Sequence, residues 1–236
     1  MPGGGDDARS AEIAANLAAV RERIAKAAAL AGRDPAELTL VGVTKTFPVE
    51  DARRLYELGV ADLGESRDQE ARQKAAALPE ATWHFVGRLQ RNKARSVASY
   101  AAMVHTVDRA ELVDALAAGV ERAGRGPIAV LIQVSLDGDP ARGGALPGEV
   151  PALADAADAT GRLRTAGVMA IAPMRADPDE AFALLAGVAR ALRAAHPGAT
   201  VVSAGMSGDL EAAVRHGATH LRIGTALLGR RPPPPG

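Results

Sequence analysis

A (β/α)8 TIM barrel with an additional N-terminal helix, an α/β architecture, is the fold this sequence predicts. Eight short apolar runs alternate with Ala/Leu/Arg-rich segments of helical period, the pattern of βα units around a parallel sheet. One further helical segment stands in front of the first run. No G-x-G-x-x-G follows any strand, which weakens the alternative, an open doubly wound sheet. A chain of 236 residues suits such a barrel as one unit.

In chain order, residues 1–9 are Gly-rich and polar and are expected to be disordered. Residues 10–229 are expected to form a single barrel domain, and "RRPPPPG" at 230–236 a Pro-rich, extended tail. The predicted strands are 38–44, 62–65, 83–87, 102–107, 127–135, 165–171, 200–204 and 220–224. The predicted helices are 10–31, 49–59, 67–77, 90–99, 109–123, 148–161, 178–195 and 208–217. Asp108 is placed to cap "RAELVDALAAG" and Ser207 or Gly208 to cap "DLEAAVRHG", each helix closing on a glycine. The Gly/Pro-rich stretch "LDGDPARGGALPGE", 136–149, reads as a mobile loop after the fifth strand rather than a domain boundary.

Composition removes several function classes. Lys+Arg and Asp+Glu are both 28, so no global field would hold the protein on nucleic acid or an anionic membrane. The absence of cysteine removes disulfides, thiolate nucleophiles and cysteine-ligated metals, and fits a reducing compartment. The start "MPGGGDDARS" carries no basic-then-apolar signal, so the expected address is the cytoplasm.

In a barrel, reactive residues come from the C-terminal ends of strands. "LTLVGVTKTFPVED" puts Lys45 there, at the end of strand one; of the four lysines it alone is embedded in an apolar run. Desolvation disfavours an ammonium, so such a lysine can become a nucleophilic amine. The plainer assignment is a strand-end lysine pointing to water. After strands seven and eight, where barrels most often hold phosphate, "SAGMSGD" and "IGTALLG" offer the Ser207 hydroxyl, nearby backbone N–H groups, Gly224 and Thr225. A capped helix and an ordinary strand end would look the same. Arg222, on strand eight, alternates toward the barrel interior or mouth and needs an acceptor there, either a barrel carboxylate or a ligand.

"TWHFVGRLQRNKA" carries Trp83 and Phe85 as core candidates, His84 as an interior histidine, and the polar group Gln90, Asn92 and Lys93. Other chemistries find little support. "GMSGD" fails the G-x-S-x-G elbow because Asp209 replaces the final glycine. Gly217 interrupts the helix between His216 and His220, and Asp137, Asp139 and Glu149 lack the calcium-loop pattern, so no metal site is expected.

Taken together, these segments resemble the YggS/PROSC family of pyridoxal phosphate homeostasis proteins, barrels similar to the alanine racemase N-terminal domain. The resemblance runs from the first helix to Arg230. It is carried by "LVGVTKTFP", by "WHFVGRLQRNK" against the family's W-H-F-I-G-x-L-Q-x-N-K, by "GVMAIAP" against G-L-M-x-I-x-P, and by "AGMSGDLEAAVRHGATHLRIGTALLGRR" against G-M-S-x-D…R-I-G-x-x-x-F-G-x-R. It implies that Lys45 binds pyridoxal 5'-phosphate as a Schiff base, that Ser207, Gly224 and Thr225 bind the phosphate, and that Arg222 faces the pyridine nitrogen. The implied role is cofactor buffering and delivery without dedicated turnover, in a monomer whose partners are the cofactor and the apo-enzymes that use it.

This chain departs from the family's pattern twice. "GESRD" has Ser66 and Arg67 where G-E-N-Y is usual, and "VSLDGDPARGG" has Ser135 and Arg142 in place of V-N with a downstream lysine. Two alternatives share the constellation: a pyridoxal-phosphate-dependent racemase, and a lysine-dependent aldolase acting on a phosphorylated carbonyl compound. Racemases that resemble this barrel bring a tyrosine from a further β domain, for which residues 10–229 leave no length. Tyr56 and Tyr100 are expected on the outer helices.

Overall fold

The computed structural model describes residues 4–229. Its first helix, α1 (Gly4–Leu30), buries Ile13, Leu17, Val20, Ile24 and Ala28 along one stripe, at the three- and four-residue spacing that a 3.6-residue period demands. It begins at Gly4, inside the 1–9 segment expected to be disordered. Asp6 and Asp7 in its first turn suit the positive end of the helix dipole, and Arg9 bonds to Asp51 and to the Leu228 carbonyl. Residues 1–3 and 230–236, the Pro-rich tail included, lie outside the described residues.

Eight parallel strands close a barrel in sequence order: β1 (Thr39–Val43), β2 (Asp62–Glu65), β3 (Thr82–Phe85), β4 (Met103–Val107), β5 (Ile128–Gln133), β6 (Leu163–Met169), β7 (Val201–Ser203) and β8 (His220–Ile223). The seam is β1 on β8, with Gly42 opposite Ile223. Helices α2 (Val49–Glu57), α3 (Asp68–Ala77), α4 (Ala94–Tyr100), α5 (Ala110–Arg122), α6 (Val150–Ala159), α7 (Pro178–Ala195) and α8 (Leu210–Arg215) follow strands one to seven. A short helix not anticipated from sequence, α9 (Thr225–Leu228), follows β8. The main core lies between strands and helices. A separate cluster of Ala129, Leu131, Ala166 and Met169, with Met103 and Val201 against it, fills part of the lumen.

Three local expectations change. Asp108 does not cap α5: its carboxylate instead accepts from Arg109 and from the Gly144 N–H. Gly119 does not end that helix either. It sits within α5, where a Cβ would lie 2.8 Å from Ala98 Cβ, so it permits α4 and α5 to approach closely. The loop 136–149 is anchored at two points, by Ser135 N–H to the Ala145 carbonyl (2.8 Å) and by Arg142 to the Ile171 carbonyl (2.8 Å).

Candidate functional site

Lys45 sits at the end of β1 inside a tight turn, closed by Phe47 N–H donating to the Thr44 carbonyl at 3.1 Å. The next residue, Thr46, has φ +69°, a left-handed conformation that a β-branched residue adopts only under constraint. The constraint is visible: Glu70 on α3 accepts the Thr46 N–H at 2.9 Å. On the other side of Lys45, Thr44 is fully buried and donates its hydroxyl to Glu65 Oε1 at 2.6 Å. Lys74 reaches in from α3, donating to the same oxygen at 2.5 Å and to the Thr44 carbonyl at 2.8 Å. Burial pushes the Glu65 carboxyl up, and Lys74 opposes that shift. Thus both neighbours of Lys45 are gripped, one by a buried ion pair and one by an acidic helix residue. Lys45 itself is half-buried.

The neighbouring β8 strand brings the second group. Gly224 packs so tightly on β1 that a Cβ would stand 3.1 Å from the Val43 carbonyl oxygen. This close approach sets the turn after β8 directly beside the strand that carries Lys45. Ser207 lies in the turn after β7, and its hydroxyl accepts the Ala226 N–H at 3.2 Å, drawing the two turns together. Thr225 opens α9 and is exposed, while a Cβ on Gly208 would meet open space. Neither Ser207 nor Gly208 starts α8, as the sequence suggested; Asp209 precedes that helix and accepts the Met206 N–H at 2.6 Å. From behind, Arg23 of α1 holds the Ser207 carbonyl at 3.1 Å and pairs with Glu211.

Arg222 is 5% exposed, in the lumen below these turns. Among the described residues no carboxylate pairs with it. Its acceptors are Ser203 Oγ (2.6 Å) and the Ala170 carbonyl (2.9 Å). Desolvation lowers its pKa to about 10, which leaves it charged at neutral pH. Ser203 is one link in a chain across the lumen: Ser203 to His105 Nδ1 at 2.9 Å, His105 Nε2 to His84 Nδ1 at 2.8 Å, and His84 Nε2 to Asp62 at 2.9 Å. Only the ends have a set direction: the Arg222 guanidinium donates to Ser203 Oγ, and the Asp62 carboxylate accepts from His84 Nε2. Burial lowers the His105 pKa well below the ordinary range and that of His220 to about 4, consistent with a lumen that admits no further cation.

The structure thus gathers Ser207, Gly224 and Thr225 at one rim, sets Lys45's strand against them, and puts Arg222 beneath. Ser66 and Arg67 lie farther round the mouth, and exposed Arg67 bonds to Glu70 at 3.3 Å. Glu65, Glu70, Lys74, His105 and Ser203 were not selected from sequence. Among the described residues there is no cluster able to hold a metal ion, and no helix long and apolar enough to cross a membrane.

The family model of the alanine racemase N-terminal domain matches residues 15–232. A curated relative from Mycobacterium tuberculosis, named pyridoxal phosphate homeostasis protein, is 44% identical over 243 residues, covering 94% of each chain. One of the same name from Pseudomonas aeruginosa is 41% identical and covers 93% of this chain and 96% of the relative. Among solved structures, PipY of Synechococcus elongatus with PLP bound is similar at a TM-score of 0.80 and 32% identity, covering 92% of this chain and 100% of that one.

Proposed function

The chain belongs to the pyridoxal phosphate homeostasis proteins, within the alanine racemase N-terminal domain family, and from that premise we propose that it holds pyridoxal 5'-phosphate covalently at Lys45 and releases it without dedicated turnover. When bound, the cofactor supplies an aldehyde that condenses reversibly with a primary amine, a phosphate anion and a ring nitrogen. Lys45 presents the amine, and Glu70, Thr44 and the buried Lys74–Glu65 pair fix the turn that carries it. Ser207, Thr225 and the backbone beside Gly224 hold the anion, where glycine allows close approach.

The observation that carries the reading is Arg222. A buried cation with two acceptors and, among the described residues, no carboxylate partner retains N–H donors for a ring nitrogen at the mouth. A guanidinium has no lone pair to offer and keeps its proton, so it holds that nitrogen unprotonated. A ring so held withdraws electrons weakly, which disfavours carbanion chemistry and suits storage. Tyr100, a candidate second base for racemisation, instead directs its hydroxyl to Asp68 at 3.4 Å on the outer ring. Delivery to apo-enzymes, a monomeric state and a cytoplasmic location complete the reading.

Isolated protein should be yellow, and Lys45→Ala should lose that visible band while keeping its melting temperature. An unchanged band in the variant refutes the assignment. A colourless wild type that traps a sugar phosphate on borohydride treatment would favour a lysine-dependent aldolase.

A further inference from the structure

Part of the tryptophan–histidine segment is used neither by the core nor by the mouth turns. Gln90, Asn92 and Lys93 are exposed and line a cleft of 1580 Å³ between the loops after β2 and β3 and helices α3, α4 and α5. Seven of its lining residues are arginine or lysine against two carboxylates, Asp68 and Glu70, in a chain whose formal charge is zero. The side chains of Arg91, Lys93, Arg95 and Arg122 have no ion pair or hydrogen bond among the described residues. The loops that shape the cleft are packed in place: a Cβ on Gly87 would lie 2.1 Å from the Ser66 carbonyl oxygen, and Thr106 donates to the Gly87 carbonyl at 2.6 Å.

We infer that this cleft docks an acidic segment of a partner polypeptide. Its volume exceeds the roughly 300–1,000 Å³ of a small-molecule pocket, so an extended occupant suits it better than a metabolite. Unpaired cations on a concave surface attract carboxylates over a distance and select against cationic partners. The amides of Gln90 and Asn92 can serve a peptide backbone as donor and acceptor. A nucleic acid strand fits less well, because the one aromatic residue in the lining, Phe85, is 2% exposed and offers no face for a base.

Docking here has a route to Lys45. Arg67 on the rim bonds to one oxygen of Glu70, whose other oxygen holds the Thr46 N–H. Carboxylates that draw Arg67 away leave Glu70 less neutralised and alter the grip on the turn. This coupling rests on the proposed cofactor site; the docking itself does not.

The test is fluorescence anisotropy of labelled poly-L-glutamate titrated with full-length, cofactor-loaded protein. A triple variant, Arg91→Ala, Lys93→Ala and Arg95→Ala, and the single Arg122→Ala run in parallel, with labelled single-stranded DNA of matched charge as a second probe. Polyglutamate should bind in a salt-sensitive manner, about tenfold or more weakly to the triple variant, with the visible band unchanged. Bound polyglutamate should also change the rate of cofactor release in the wild type but not in Arg67→Ala, and an unaltered rate overturns the coupling. Absent binding, binding by both variants equal to that of the wild type, or tighter binding of the DNA overturns the docking. If the cofactor reading were wrong, the band would be missing while the anisotropy still reported on the cleft.

Discussion

At the end of β1, position is set by side chains that converge from elsewhere: Lys74 and Glu70 from α3 and Glu65 from β2. Across the turns after β7 and β8, position is set by the backbone: Gly224 against Val43, and the Ala226 N–H on Ser207. The first arrangement aims one amine through a strained turn and a buried ion pair, so single substitutions should disturb it sharply. The second spreads an anion over several N–H and O–H donors, so removing one should cost little. Covalent chemistry needs an aimed atom, whereas anion binding needs only enough donors.

The strongest way to break this contrast is at Lys74. Lys74→Ala leaves Glu65 buried without its cation, a loss of about 3–5 kcal/mol. Chemical denaturation should show it, and adding Glu65→Leu should restore part of the stability. A neutral Lys74→Ala would mean the pair does not support the turn. For the same reason Lys93, not Lys74, is the lysine control for Lys45→Ala.

On the backbone side, Ser207→Ala with Thr225→Val should weaken cofactor retention by about tenfold or more in equilibrium dialysis, since each charge-assisted bond to an anion is worth roughly 1.5–3 kcal/mol. Complete loss would show that the backbone donors contribute little, and equal affinity would move the anion elsewhere.

A subtler effect is expected at Thr46. Thr46→Gly accepts φ +69° without strain, so the melting temperature should hold or rise. Cofactor release should nevertheless quicken, by a few-fold, as the turn loosens. Faster release with a lower melting temperature would indicate general damage instead of lost aim.

A pH dependence is also expected from the lumen. The His220 pKa lies at about 4, below its unfolded value, so its contribution is intact above about pH 6.5 and is lost as pH falls toward 4. Relative to His220→Asn, wild-type stability should decline across that window by at most about 1.4 kcal/mol per pH unit and level off below it. A flat difference curve would mean His220 is more hydrated than the lumen geometry implies.

The barrel was legible because each strand is a short apolar run and each helix repeats its apolar residues at helical spacing, signals contained in a few consecutive residues. The places of Lys45, Ser207, Gly224 and Thr225 at the strand ends were legible for a related reason, since each belongs to a local motif there, while their roles remain the proposal above. The supporting side chains were not. Lys74 stands in "ARQKAAA", a segment that looks like a solvated helix face, and only the fold brings it to Glu65. His105 and Ser203 are 98 residues apart and meet only once the sheet closes. Asp108 looked like a cap because its short-range role was plausible, but partners distant in sequence claimed its carboxylate. Arg222 was placed correctly by strand alternation, though its acceptors proved to be a serine and a carbonyl rather than a barrel carboxylate.

Borohydride reduction of the isolated yellow protein, followed by peptide mass spectrometry, tests the central claim most directly. A single phosphopyridoxyl group on the peptide containing Lys45, with Lys26, Lys74 and Lys93 unmodified, is the predicted result. Modification at any of the other three lysines, with Lys45 unmodified, would contradict it.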